Sequence, residues 1–90
     1  MICKTSVNFE KAILKIQDKT LRGRIEKIIV KIDSCKSIHE VSNLMPIVGA
    51  PGYFRIRLSD YRIGIFVENN TVLFCFFGKR DESTYKKFPG

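Results

Sequence analysis

Ninety residues, 44% hydrophobic and 28% charged, suffice for one small folded domain and are too apolar for a disordered segment. Sixteen Lys and Arg against nine Asp and Glu leave a formal net charge of +7, which argues for an anionic partner such as nucleic acid, an acidic protein or an anionic surface. Cys3, Cys35 and Cys75 lie far apart with no CxxC or Cys/His spacing, so neither a disulfide framework nor a zinc site is supported.

The excess charge is spread along the chain. Residues 1–52 carry nine bases and five acids, a net of +4; residues 53–90 carry seven and four, a net of +3. No segment approaches the roughly 18 apolar residues of a membrane span, and the first residues do not read as a signal peptide. A cytoplasmic protein with neutral thiols is expected, with no membrane partner, no metal and no cofactor.

In chain order, MICKTSV can form a short first strand. Phe9, Ala12, Ile13 and Ile16 then recur at helical spacing, with Asn8 as the expected N-cap. QDKT breaks the pattern. A second, longer helix follows, with Leu21, Ile25, Ile28, Ile29, Ile32 and Cys35 on its apolar stripe. Few residues separate the two helices, so an antiparallel pair is expected. A helical turn near Ile38–Val41, an extended NLMPIV and a GAPG loop come next. GAPG lacks the Lys-Ser/Thr of a phosphate-binding loop. His39, the single histidine, reads as a surface or structural residue.

Three strand-like runs complete the pattern: Tyr53–Leu58, Tyr61–Glu68 and Thr71–Phe77, separated by Ser-Asp and Asn-Asn. Asn-Asn tolerates the positive φ of tight hairpin turns. The expected fold is α+β: a twisted antiparallel sheet, made of the short N-terminal strand and the C-terminal three-stranded meander, packed on the N-terminal helical pair. It forms one domain over residues 1–90, with GKRDESTYKKFPG bending away at the end.

Within the meander, alternation puts Phe54, Ile56 and Leu58 on one face and Tyr53, Arg55 and Arg57 on the other. If Ser59-Asp60 is a two-residue turn, Leu58 pairs with Tyr61, Arg57 with Arg62, Arg55 with Gly64 and Tyr53 with Phe66. Apolar side chains then meet on the core side, and two arginines stand opposite one another. Such a like-charge pair costs a sheet roughly 0.2–1 kcal/mol. Solubility alone is better served by mixed signs, whereas the planar arginine fork suits phosphate oxygens. Gly64 reads as an open notch beside Arg55. Lys79, Arg80 and Tyr85 follow the last strand and are expected at the rim of the same face.

PGYFRIRLSDYRIGIFVENNTVLFCFFGKRDESTYKKFP resembles the RelE-like branch of the RelE/ParE toxin superfamily of toxin–antitoxin systems. The resemblance extends from about Phe9 to Phe88; the phrase YFRIRLSDYRIGI, then GKR and TYKKF, is its specific part. It implies a metal-independent mRNA endonuclease that works in the ribosomal A site, where a ribose 2′-OH attacks the adjacent phosphate. It also implies a cognate antitoxin. By resemblance, the family's functional positions fall on Arg55, Arg57, Arg62, Arg80 and Tyr85.

The chemistry needs a proton removed from the 2′-oxygen, positive donors on the non-bridging oxygens and a proton for the leaving 5′-oxygen. Arg57 and Arg62 are assigned to clamp the phosphate, Arg80 to the leaving oxygen, and Tyr85 to stacking or proton transfer. Arg55, Lys79 and Tyr53 are assigned to substrate binding. Asp81 and Glu82 are the carboxylates nearest the rim. So thin a proton-transfer set favours catalysis by positioning. Two alternatives remain at this stage: a ParE-like gyrase inhibitor without nuclease activity, and a non-catalytic antitoxin-binding or corepressor module.

Overall fold

The chain runs β1 (Ile2–Thr5), α1 (Val7–Leu14), α2 (Lys19–Ser34), a 3₁₀ turn (Ile38–Glu40), β2 (Leu44–Pro46), β3 (Tyr53–Leu58), β4 (Tyr61–Glu68) and β5 (Thr71–Lys79). These elements are those of a computed structural model that describes residues 1–79. One five-stranded sheet has the spatial order β1-β5-β4-β3-β2, with α1 packed on β5 and α2 meeting β1.

The helices start where polar side chains can satisfy their first N–H groups. Ser6, not Asn8, caps α1: its Oγ accepts from the Phe9 N–H at 3.1 Å. The helix therefore begins at Val7, ahead of the apolar spacing that starts at Phe9. The same hydroxyl donates to the Cys75 carbonyl at 3.1 Å, which ties the start of α1 to β5. Asp18 caps α2, its Oδ1 accepting from Thr20 N–H at 2.9 Å and Leu21 N–H at 3.2 Å. Leu21, Ile25 and Ile32 are buried along the expected stripe, and Ile28 and Ile29 flank them. Ser37 and Glu40 form a reciprocal cap on the 3₁₀ turn. Backbone N–H donation from Ser37 and Lys36 holds the Glu40 carboxyl below its ordinary value.

The α+β architecture is the one expected, with two additions to the sheet. First, β1 pairs with β5 in parallel, from Ile2 opposite Thr71 to Thr5 opposite Phe74, so the sheet is mixed rather than wholly antiparallel. A parallel pair needs a long connection, and the helices and the rest of the meander supply it. Second, the extended NLMPIV segment contributes β2, which pairs antiparallel with β3 at the other edge. Pro46 sits on this edge, where a missing N–H removes no ladder bond that the sheet needs.

The β3–β4 register is Leu58–Tyr61, Arg57–Arg62, Ile56–Ile63, Arg55–Gly64, Phe54–Ile65 and Tyr53–Phe66, as the apolar matching predicts. Ser59 and Asn69 take positive φ, 56° and 55°, at the first position of the two hairpin turns.

Between β4 and β5 the register slips: Ile65 faces Phe74, but Gly64 faces Phe76. Cys75 is the extra residue of a β-bulge. The bulge resets the alternation of β5, so Val72 and Phe74 before it and Phe77 after it all enter the core. Without it, Phe77 would point to the opposite face. The core joins Phe9, Leu21, Ile25 and Ile32 from the helices to Ile56, Ile63, Ile65, Val72, Phe74 and Phe77 from the sheet. The Phe9 and Phe74 rings meet at 5.3 Å and 42°. Among the described residues no helix is long and apolar enough to cross a membrane.

Candidate nucleic-acid interface

The helices cover one face of the sheet. The strand registers place Tyr53, Arg55 and Arg57 of β3, Arg62, Gly64 and Phe66 of β4, and Phe76 and Gly78 of β5 together on the other. Arg57 and Arg62 stand directly opposite one another. Arg55 is the diagonal neighbour of Arg62, a separation of about 7–8 Å between backbones that long side chains span. Three guanidinium groups thus share one patch near the Ser59–Asp60 end of the hairpin.

Arg57 is exposed, while Arg55 and Arg62 are half-buried, and the Arg55 Nε is sealed from solvent. Tyr53, Arg55 and Arg62 each engage a partner within the chain, so none of the three swings freely. The Tyr53 ring lies 4.6 Å from that of Phe66, tilted by 44°, and gives the patch an aromatic wall. Gly64 is buried; the open notch expected beside Arg55 is not exposed.

Among the described residues, acids bracket the patch rather than enter it. Asp60 is in the turn, and Glu68 lies six residues along β4 from Arg62, a run of about 20 Å at the rise of an extended strand. Between them the described face holds Arg, Tyr, Phe and Gly on β3 and β4. His39 is not there: it packs edge-on against Phe54, 6.1 Å between rings, and Phe54 points to the helix side. Among the described residues no group of three His, Cys, Asp or Glu gathers in metal-binding range. The patch can therefore hold an anion and stabilise added negative charge on it. It offers no evident proton acceptor from its described residues.

Lys79 does not join the arginines. It is register-paired with Tyr61, on the helix side of the sheet, where it is exposed. The Cys75 bulge is the reason: the inserted residue reverses the face on which every later residue of β5 falls. Arg80, Asp81, Glu82 and Tyr85 lie outside the described residues. Phe66 stands on the arginine face as alternation along β4 predicts; sequence reasoning missed Phe76, which the bulge brings there opposite Gly64. It also missed that Lys11 of α1, the C-cap residue Lys15 and Lys79 line one cleft.

The thiols are placed apart from this patch or shielded within it. Burial pushes the Cys3 thiol up from its ordinary 9.0, with the Asp33 charge adding to the effect. Burial also raises the Cys75 thiol, whose Sγ lies 3.4 Å from the Leu73 carbonyl.

No protein-family model matches the chain. Toxin RelE3 of Methanocaldococcus jannaschii is 36% identical over 70 residues, which are 77% of this chain and 78% of that protein. In a crystal structure of a RelB–RelE antitoxin–toxin complex from Methanococcus jannaschii, one chain superposes with a TM-score of 0.80 at 30% identity, covering 96% of this chain and 99% of that chain. The intact Escherichia coli RelBE toxin–antitoxin complex gives a TM-score of 0.71 at 21% identity, covering 90% of this chain and 98% of its counterpart; at that identity the likeness is one of fold.

Proposed function

The chain belongs to the RelE/ParE-type toxin superfamily, and from that membership we propose that it is the toxin of a type II toxin–antitoxin module and a ribosome-dependent mRNA endonuclease. Its partners are a cognate antitoxin and, at the moment of action, mRNA in the ribosomal A site. The observation that carries the nuclease reading is the gathering of Arg55, Arg57 and Arg62 on one sheet face with no acid between Asp60 and Glu68.

In this reading the scissile phosphate sits against Arg57 and Arg62, whose forks donate charge-assisted hydrogen bonds to its non-bridging oxygens. The neighbouring 2′-oxygen loses its proton and bonds to phosphorus. The bond from phosphorus to the 5′-oxygen breaks, and that oxygen takes up a proton, leaving a 2′,3′-cyclic phosphate and a free 5′-hydroxyl. Negative charge grows on the non-bridging oxygens along the way, and fixed cations stabilise it most where it is greatest. Arg55 holds the substrate backbone, and Tyr53 with Phe66 offers a surface for a base. Arg80 stabilises the leaving oxygen, and Tyr85 stacks on a base or moves a proton. Arginine keeps its charge throughout and does not serve as the base. The reaction therefore depends on alignment of the 2′-oxygen, which a ribosome-bound message provides.

Primer extension on cellular transcripts after induction tests the proposal. Wild type should arrest growth and give cuts within translated regions; Arg62→Ala should give neither. Cuts of equal strength from Arg62→Ala would remove this residue from the chemistry. DNA damage with intact transcripts would replace the nuclease by a gyrase poison.

A further inference from the structure

On the helix side of the sheet, a cleft of about 740 Å³ opens between α1, the start of α2 and the ends of β4 and β5. Lys11 and Lys15 line one wall and Lys79 the other; Tyr61 and Phe77 form the floor, their rings stacked at 5.1 Å and 8°. Among the described residues Asp18 is the acid that lines it, and its Oδ1 is occupied by two backbone N–H groups of α2. Lys11 of α1 and Lys15, its C-cap with helical backbone, are four residues apart and so neighbours on one helix face. The negative end of α1 explains those two by itself. It does not explain Lys79, which approaches from a strand.

The cleft and the arginine patch occupy the same end of the sheet. Tyr61, in the floor of the cleft, precedes Arg62 of the patch, and successive residues of a strand point to opposite faces. Lys79 is likewise adjacent to Gly78, which faces Arg62. Gly78 lines the cleft and puts no side chain between the two sides. A strand of polyanion held at Arg57 and Arg62 therefore meets the lysines if it continues around the end of the sheet.

We propose that this lysine cleft is a second phosphate-binding subsite, which holds the RNA backbone a few nucleotides away from the cleaved bond. The proposal rests on the reading of the arginine face as the place of the scissile phosphate. The ligand is a phosphodiester chain: three ammonium groups on two walls suit spaced single charges, and the half-buried Tyr61 ring offers a face on which a base can stack.

The test is binding of single-stranded RNA with methylated 2′-hydroxyls, so that affinity is read without cleavage. Two lengths are compared, a dinucleotide with one phosphodiester and a strand of about ten nucleotides. Lys11→Gln, Lys15→Gln and Lys79→Gln are each measured against wild type across a salt series. Lys27→Gln, on the exposed side of α2, controls for net charge, and Arg57→Gln tests the patch. Each cleft variant should bind the long strand more weakly, with its log K against log salt slope reduced by about 0.7, and should bind the dinucleotide as wild type does. Arg57→Gln should weaken both lengths. Cleft variants that bind both lengths like wild type, while Arg57→Gln weakens both, would overturn the subsite and leave the arginine face standing. So would an equal loss in Lys27→Gln, which would make the effect one of overall charge. If Arg57→Gln weakens neither length, the arginine reading falls and the subsite built on it falls too.

Discussion

Replacing Arg57 by glutamine should make the protein more stable and less active. Arg57 faces Arg62 across the β3–β4 ladder, and directly opposed like charges cost a sheet about 0.2–1 kcal/mol. Coulomb's law agrees: two unit charges about 5.5 Å apart in water repel by roughly 0.75 kcal/mol. Glutamine keeps part of the aliphatic stem and removes the charge. A gain of about 0.5 kcal/mol raises the melting temperature of a domain this size by about 2–4 °C. The gain should largely disappear in 1 M salt, where the screening length falls from about 10 Å to about 3 Å. Cleavage should fall in the opposite sense: losing one charge-assisted hydrogen bond of about 1.5–3 kcal/mol lowers the rate by roughly 10- to 150-fold. Urea denaturation at two salt concentrations reads the first effect, and ribosome-dependent cleavage of a translated message reads the second. A variant less stable than wild type at low salt, or equally stabilised at high salt, would refute the repulsion. An unchanged cleavage rate would refute its purpose.

Other consequences are independent of the chemistry. Gly52 has φ +85°, and a Cβ there would stand 2.9 Å from Phe66 Cε1 and 3.2 Å from the Val67 carbonyl; Gly52→Ala should cost about 1–3 kcal/mol in denaturant titration, and a neutral result would contradict the strain. Ser6→Ala removes the α1 cap and the bond to the Cys75 carbonyl together, so a loss of about 1–2 kcal/mol is expected; a change below about 0.5 kcal/mol would deny the double role. The Cys75 thiol is raised above 9.0 by burial, so its folded value exceeds its unfolded one. Its contribution to stability is whole below that unfolded value and is lost as pH rises through the folded one. Alkylation of Cys75 near pH 9 should accordingly run slower in the native protein than in urea, and equal rates would contradict the shift.

The hairpin at the heart of the patch was legible because its two faces differ in kind. Phe54, Ile56 and Leu58 match Tyr61, Ile63 and Ile65 in only one register, and the arginines follow passively onto the other side. The long stripe of α2 was legible for the same reason. Ser6 was not, since Asn8 is an equally good cap on local grounds; what decides between them is the Cys75 carbonyl, far away in sequence. The bulge was hidden too. Unbroken alternation from Thr71 puts Phe77 outside and Lys79 among the arginines, and only the demand of the core for Phe77 reverses both. The pairing of β1 with β5 left no local trace, because its partner lies some seventy residues on.

That pairing orders the birth of the fold. Among the described residues β1 bonds to no strand but β5, and α1 rests on β5 as well, so these early elements wait for the last of the described ones. During synthesis β1 has no strand to pair with until β5 is made, and the Cys75 carbonyl that Ser6 grips does not yet exist. Premature termination before Thr71 would leave β1 without its partner strand and α1 without the strand it packs on, an incomplete fold with apolar surface exposed.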